Sequence, residues 1–180
     1  AFNRLPPDEY VKYLLSLVAK SNKTLMMEQL LVQLSGARIG IIDGIIDRLS
    51  DANVIVFAHN VTYIQRLVDH LTARFPNRVV YGVSGSTDLK RRQAAIDTAS
   101  SRRGVIIVAS YGVFGTGLTI HGVDHGIFAQ SFKADTINLQ SLGRLMLRAP
   151  EKTEFYLYDL IDIFPTGRIA AQGREKLRTY

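Results

Sequence analysis

At 180 residues the chain fits one ordinary domain with a real core, or one lobe of a larger enzyme. An apolar share of 47% with 21% charged residues excludes a disordered segment, the absence of cysteine excludes disulfides and thiolate metal sites, and no apolar run approaches the roughly 18 residues of a membrane span. Lys plus Arg is 22 against 16 Asp plus Glu, and the resulting net charge of +6 is compatible with a phosphate-bearing partner without requiring one.

The first fifty residues read as helical. "DEYVKYLLSLVAKS" (8–21) sets Val11, Leu14, Leu15 and Val18 at helical spacing, with Asp8 and Glu9 where the helix dipole favours acids. "TLMMEQLLVQL" and "IGIIDGIIDRL" repeat the pattern, with "SNK" and "SGAR" as separators. At Asn53 the texture changes. "NVIVFA" is a β-branched run suited to a buried strand, and "VTYIQRLVDHLTARF" is an amphipathic helix stopped by Pro76. "RVVYGV" (strand), "TDLKRRQAAIDTASS" (helix), "GVIIVAS" and "VDHGIFAQ" (strands), "DTINLQSLGRLML" (helix) and "EFYLYDLID" (strand) follow, and "TGRIAAQGREKLRTY" closes the chain as a basic helical tail. Strands alternating with helices of this length predict βαβ units and a mostly parallel sheet covered on both faces. Ligands of such sheets sit at the carboxyl ends of the strands.

Three loops fall at that edge. His59 and Asn60 lead into a helix whose first amides could hold a phosphate, although Asn60 could equally be only the helix cap. Ser84 and Gly85 precede Ser86 or Thr87 as a helix cap, with Lys90, Arg91 and Arg92 in the next turns; such a charge run is most often a solvated face. "ASYGVFGTGLTI" places Gly112, Gly115 and Gly117 directly after a strand, with Ser110 and Thr116 as hydroxyl donors, a chemistry suited to phosphate oxygens or to a plain glycine turn. No Lys-Ser or Lys-Thr pair follows these glycines, so this is not a P-loop, and the next element reads as a strand, so it is not the dinucleotide fingerprint. On the helix of "QSLGRLMLR", Gln140, Arg144 and Arg148 fall at about 0°, 40° and 80°, a polar stripe opposite Leu142, Leu145 and Met146. Arginines aimed together suit a phosphoryl partner, and surface arginines beside Glu151 would look the same. The four histidines show no metal-ligand spacing, and no Ser/His/Asp arrangement can be argued.

In this order and spacing the elements resemble the second RecA-like lobe of superfamily 2 helicases and translocases. "NVIVFAHN" is similar to that family's motif IV, "VIIVASYGVFGTGLTI" to motif V and "QSLGRLMLR" to motif VI, with the strongest likeness to phage recombination and repair helicases. The resemblance implies an α/β fold: a RecA-like three-layer sandwich with a mostly parallel central sheet at 51–165, preceded by a helical lead-in at 1–50 and followed by the basic tail at 166–180. It implies that His59, Asn60, Ser84, Gly85, Ser110 and Tyr111 lie along a nucleic-acid track, with DNA favoured over RNA. Gly115, Gly117, Gln140 and Arg144 would approach ATP, and Arg144 and Arg148 would act on its γ-phosphate. ATP and Mg²⁺ would be held mainly by a first RecA-like lobe of the same polypeptide, because neither the lysine loop nor the acidic magnesium motif occurs in this chain. Alone, the chain is expected to be an inactive half of a motor, in the cytoplasm (the host's, if phage-encoded) and away from membranes. One departure is specific: the family's second motif VI arginine belongs three residues after Arg144, where Leu147 stands, and Arg148 comes one residue late. An RNA helicase lobe, a restriction-type translocase lobe or a non-catalytic nucleic-acid-binding module fits the same motifs.

Overall fold

The computed structural model describes residues 24–115, 122–130, 154–162 and 174. Within them the chain runs α1 (Thr24–Leu34), α2 (Gly36–Arg48), β1 (Val54–Ala58), α3 (Val61–Arg74), β2 (Val79–Val83), α4 (Leu89–Ser101), β3 (Val105–Ser110), α5 (Tyr111–Gly115), β4 (His125–Phe128) and β5 (Tyr156–Asp159). The predicted helices at 8–21 and 135–147 lie outside the described residues, as does the tail helix at 166–180 apart from residue 174. The five strands form one sheet in the order β2-β3-β1-β4-β5, with every neighbouring pair parallel.

The parallel arrangement follows from strands with apolar side chains on both faces. β1 is buried at all five positions. Its Ile55 and Phe57 join Val105, Ile107, Ala109 and Phe128 on one face, under Ala95 and Ala99 of α4 and Tyr111 and Val113 of α5. Val54, Val56 and Ala58 join Ile106, Val108, Ile127 and Ala129 on the other, under Tyr63, Ile64, Leu67 and Leu71 of α3 and Ile42 and Ile46 of α2. The result is the expected helix–sheet–helix sandwich.

The lead-in differs from the sequence expectation. "SGAR" reads in the sequence as a separator of two helices, yet only Ser35 separates them. Its hydroxyl accepts from the Arg38 amide at 3.3 Å and caps α2, which begins at Gly36. Nor does residue 50 divide two packing units, since Ile42 and Ile46 are fully buried in the same cluster as β1. Two side-chain pairs one turn apart lash α2 to α3: His70 Nε2 lies 2.9 Å from Asp43, and Arg74 Nη2 lies 2.6 Å from Asp47.

At the amino edge of the sheet, Asn53 is 1% exposed. Its Oδ1 accepts from the Val105 amide at 2.8 Å, and its Nδ2 donates to the carbonyls of Ala99 (2.8 Å), Arg102 (2.8 Å) and Gly122 (2.9 Å). One amide thereby ties β1 to the end of α4, the start of β3 and the approach to β4. Gly122 has φ +80°, and a Cβ there would collide with the Ala99 carbonyl, so glycine is required.

Candidate functional site

Because all strands run the same way, their carboxyl ends share one edge. Ala58 and Ser110 are register partners there. From Ala58 the chain turns into α3 on one face, and from Ser110 it enters α5 on the other. Adjacent strands whose connections leave to opposite faces open a crevice between them, the place where open parallel sheets take ligands. His59, Asn60 and Ser110 therefore border one crevice, and Ser84 and Gly85 lie at the end of β2, beyond β3.

His59 is exposed, and its amide donates to Gln130 Oε1 at 2.8 Å. Asn60 Oδ1 accepts from the amides of Thr62 at 2.8 Å and Tyr63 at 3.4 Å, so Asn60 caps α3. Of the two readings left open for this residue, the cap is the one observed. It occupies two of the amides that a phosphate at this helix start would use.

Ser84 is 6% exposed; its amide donates to Thr87 Oγ1 at 2.9 Å and its hydroxyl lies 2.9 Å from Ser86 Oγ. Gly85 is exposed, with nothing within 4 Å of where a Cβ would stand. The cap of α4 is neither Ser86 nor Thr87 but Asp88, which accepts from the Arg91 amide at 2.9 Å. Lys90 and Arg91 are exposed, whereas Arg92 folds back and donates from Nη2 to the carbonyls of Ser84 at 3.1 Å and Gly85 at 2.6 Å. One cation of the run thus shapes the loop and two form the solvated face.

After β3 the glycine-rich stretch begins as a short helix rather than an open loop. Ser110 is half-buried at its start. Tyr111 turns inward and is 2% exposed. Its ring stacks on Phe57 (centroids 5.4 Å apart, 20° between planes) and tilts against Phe128 at 5.4 Å. Its hydroxyl donates to the Gln130 carbonyl at 2.8 Å. The physical reason is the apolar face that Phe57 and Phe128 present at this end, which an aromatic ring covers and a small residue would leave void. Gly115 closes this helix, and Gly117, Gln140, Arg144, Leu147 and Arg148 lie outside the described residues.

Two buried polar residues were not anticipated. Arg38, 7% exposed, reaches from α2 to the ends of β4 and β5. Its Nη1 donates to the carbonyls of Ala129 at 2.8 Å and Leu160 at 3.4 Å, and its Nη2 pairs with Asp162. Gln130, 4% exposed, serves both His59 and Tyr111. Nearby, burial pushes the Tyr63 phenol up to about 12, against the opposing pull of Arg38 and Arg66, and its hydroxyl has no hydrogen-bond partner among the described residues.

The edge offers hydroxyls and amides, donors that suit phosphate oxygens. Among the described residues no three His, Asp or Glu side chains gather to hold a metal ion. No helix among them is long and apolar enough to cross a membrane.

Residues 17–147 match the helicase conserved C-terminal domain family, and the chain belongs to it. It is 35% identical over 112 residues to the ATP-dependent DNA helicase uvsW of Enterobacteria phage T4, an alignment covering 62% of this chain and 22% of that protein. The crystal structure of T4 UvsW superposes with a TM-score of 0.71 at 27% identity, covering 97% of this chain and 37% of that one. The chain therefore spans well under half the length of these relatives. The C-terminal part of the Fun30 ATPase domain (TM-score 0.56, 17% identity, 72% of this chain and 40% of that one) shares the fold. So does domain 2 of the DEAD-box helicase Mss116p (TM-score 0.55, 18% identity, 69% and 48%), which makes the sandwich RecA-like.

Proposed function

We propose that the chain is the C-terminal motor lobe of an ATP-dependent DNA helicase or translocase acting on branched or recombination DNA. The observation that carries this reading is the family match over residues 17–147. The relative at 35% identity is named a DNA helicase, which favours DNA over RNA. In this reading His59, Ser84, Gly85 and Ser110 border the DNA backbone, with Asn60 shaping the turn beside it and Tyr111 supporting it from the core. Gly115, Gly117, Gln140 and Arg144 would face ATP, which a first lobe of the same polypeptide would hold with Mg²⁺. Bound there, ATP supplies the phosphoryl group whose transfer to water drives the cycle. Arg144 would stabilise charge on the phosphoryl oxygens only when the lobes close, tying hydrolysis to lobe motion and stepping. Arg148 would occupy the second arginine position one residue late. The chain alone would then hydrolyse no ATP.

The test is DNA-stimulated ATPase of the complete polypeptide. Arg144→Ala is expected to lower it by about 10³-fold, the low end of an arginine finger's contribution. Unchanged ATPase in that variant would overturn the assignment, and unchanged ATPase in Arg148→Ala would reduce that residue to a surface arginine.

A further inference from the structure

Residues 84–88 carry the chain from the carboxyl end of β2 into α4, and Arg92 holds this turn from inside. Its Nη2 donates to the Ser84 carbonyl at 3.1 Å and to the Gly85 carbonyl at 2.6 Å. The Thr87 amide gives the Ser84 carbonyl a second donor at 3.1 Å. Arg92 Nε is buried with no partner among the described residues, so the guanidinium lies against the turn and not out in solvent.

Peptide planarity turns these carbonyl contacts into a statement about amides. In a trans peptide the C=O of one residue and the N–H of the next point in opposite directions, and no described peptide bond is cis. Arg92 therefore sets the Gly85 and Ser86 amides side by side, both facing away from itself. Both residues are exposed, and neither amide has a partner among the described residues. Consecutive amides aimed one way, with their carbonyls drawn back, suit an anion. Gly85 adds an independent observation. Its φ is not positive and a Cβ there would meet nothing within 4 Å, so neither strain nor packing among the described residues asks for glycine. What a side chain at this position would obstruct is the close approach of a ligand from outside.

We infer that Arg92 is a positioning residue for DNA: by holding the Ser84 and Gly85 carbonyls it presents the Gly85 and Ser86 amides to one backbone phosphate, without touching the DNA itself. The inference rests on the functional reading above. It makes the contact at the β2 exit one of backbone amides, with the cation behind them.

The experiment measures binding of a fluorescent single-stranded DNA to the complete two-lobe polypeptide by anisotropy over a series of salt concentrations, with melting temperature alongside. A cation that neutralises a phosphate of a single strand contributes about 0.7 to the slope of log affinity against log salt, whereas an uncharged amide releases no counterion. Arg92→Met keeps the stem and removes the donors. It is expected to weaken binding about tenfold, a factor worth about 1.4 kcal/mol, at the slope of the parent. A slope reduced by about 0.7 would put Arg92 itself on a phosphate and overturn the inference. Parental affinity in Arg92→Met overturns it as well, since a residue that only supports the fold lowers the melting temperature without moving the affinity of the folded protein. If Arg92→Met fails to fold, Gly85→Ala decides instead. Its Cβ has open space within the fold but stands beside the amide pair, so the melting temperature should hold while the phosphate is crowded. Weaker binding at the parental slope supports the inference, and parental affinity refutes it. A parent polypeptide that binds no DNA even at low salt would defeat the functional reading itself, an outcome distinct from the failure of the Arg92 assignment alone.

Discussion

Replacing Asn53 by alanine removes the side chain that ties four segments at the amino edge. Three contacts at 2.8 Å and one at 2.9 Å disappear, and the two amide hydrogens can serve two of the three carbonyls fully. Counting about 1 kcal/mol net for each of three satisfied bonds gives about 3 kcal/mol, and the buried Val105 amide left without its acceptor adds about 1 kcal/mol or more. A loss of about 4 kcal/mol is a large part of the 5–15 kcal/mol typical of a domain. Equilibrium urea unfolding of the chain, followed by far-UV circular dichroism, should show the midpoint falling with little change in slope. Asn53→Asp sets a carboxylate against three carbonyl oxygens, which raises its folded pKa. Its stability deficit should then shrink as pH falls toward the unfolded carboxyl value and grow as pH rises through the folded one. A loss under about 1 kcal/mol in Asn53→Ala would refute the reasoning, since it would mean that water or backbone rearrangement replaces all four contacts.

Tyr63→Phe removes a buried hydroxyl that has no partner among the described residues, so stability at neutral pH should stay within about 1 kcal/mol or rise. The parent should lose about 2–3 kcal/mol from this group as pH rises from 10 toward the folded value of about 12, because the folded state holds the neutral phenol, and the variant should lack that component. Arg38→Met alone leaves Asp162 in a largely dry site and should cost about 3–5 kcal/mol, whereas Arg38→Met with Asp162→Leu should recover most of the loss. Urea unfolding of the four proteins in that cycle gives the coupling, and additive losses would remove the ion pair from the account.

The strands were legible because β1 and β3 are short β-branched runs between polar residues, and burial on both faces leaves them no other pattern. The carboxyl edge was legible for the same reason, since parallel strands fix which loops meet. Three things were hidden. Gly36, Ala37 and Arg38 look like a linker because glycine is a poor helix former, yet the Ser35 cap and the anchoring of Arg38 outweigh a penalty of about 1 kcal/mol. Tyr111 sits among glycines and so reads as loop, while its partners Phe57 and Phe128 are distant in sequence. Arg38 and Gln130 give no local signal at all, because every group they satisfy belongs to another element.

The helix that precedes the first strand sets where the chain can be shortened. Ile42 and Ile46 help close the face of the sheet that Val54, Val56 and Ile127 present, and Arg38 caps two strand ends on the same side. A fragment cut at residue 51, where the motifs begin, would carry every residue assigned to the β1, β2 and β3 exits and still expose a dry face to water. Such a fragment should aggregate on expression, while one that keeps Ser35 as its helix cap should stay soluble.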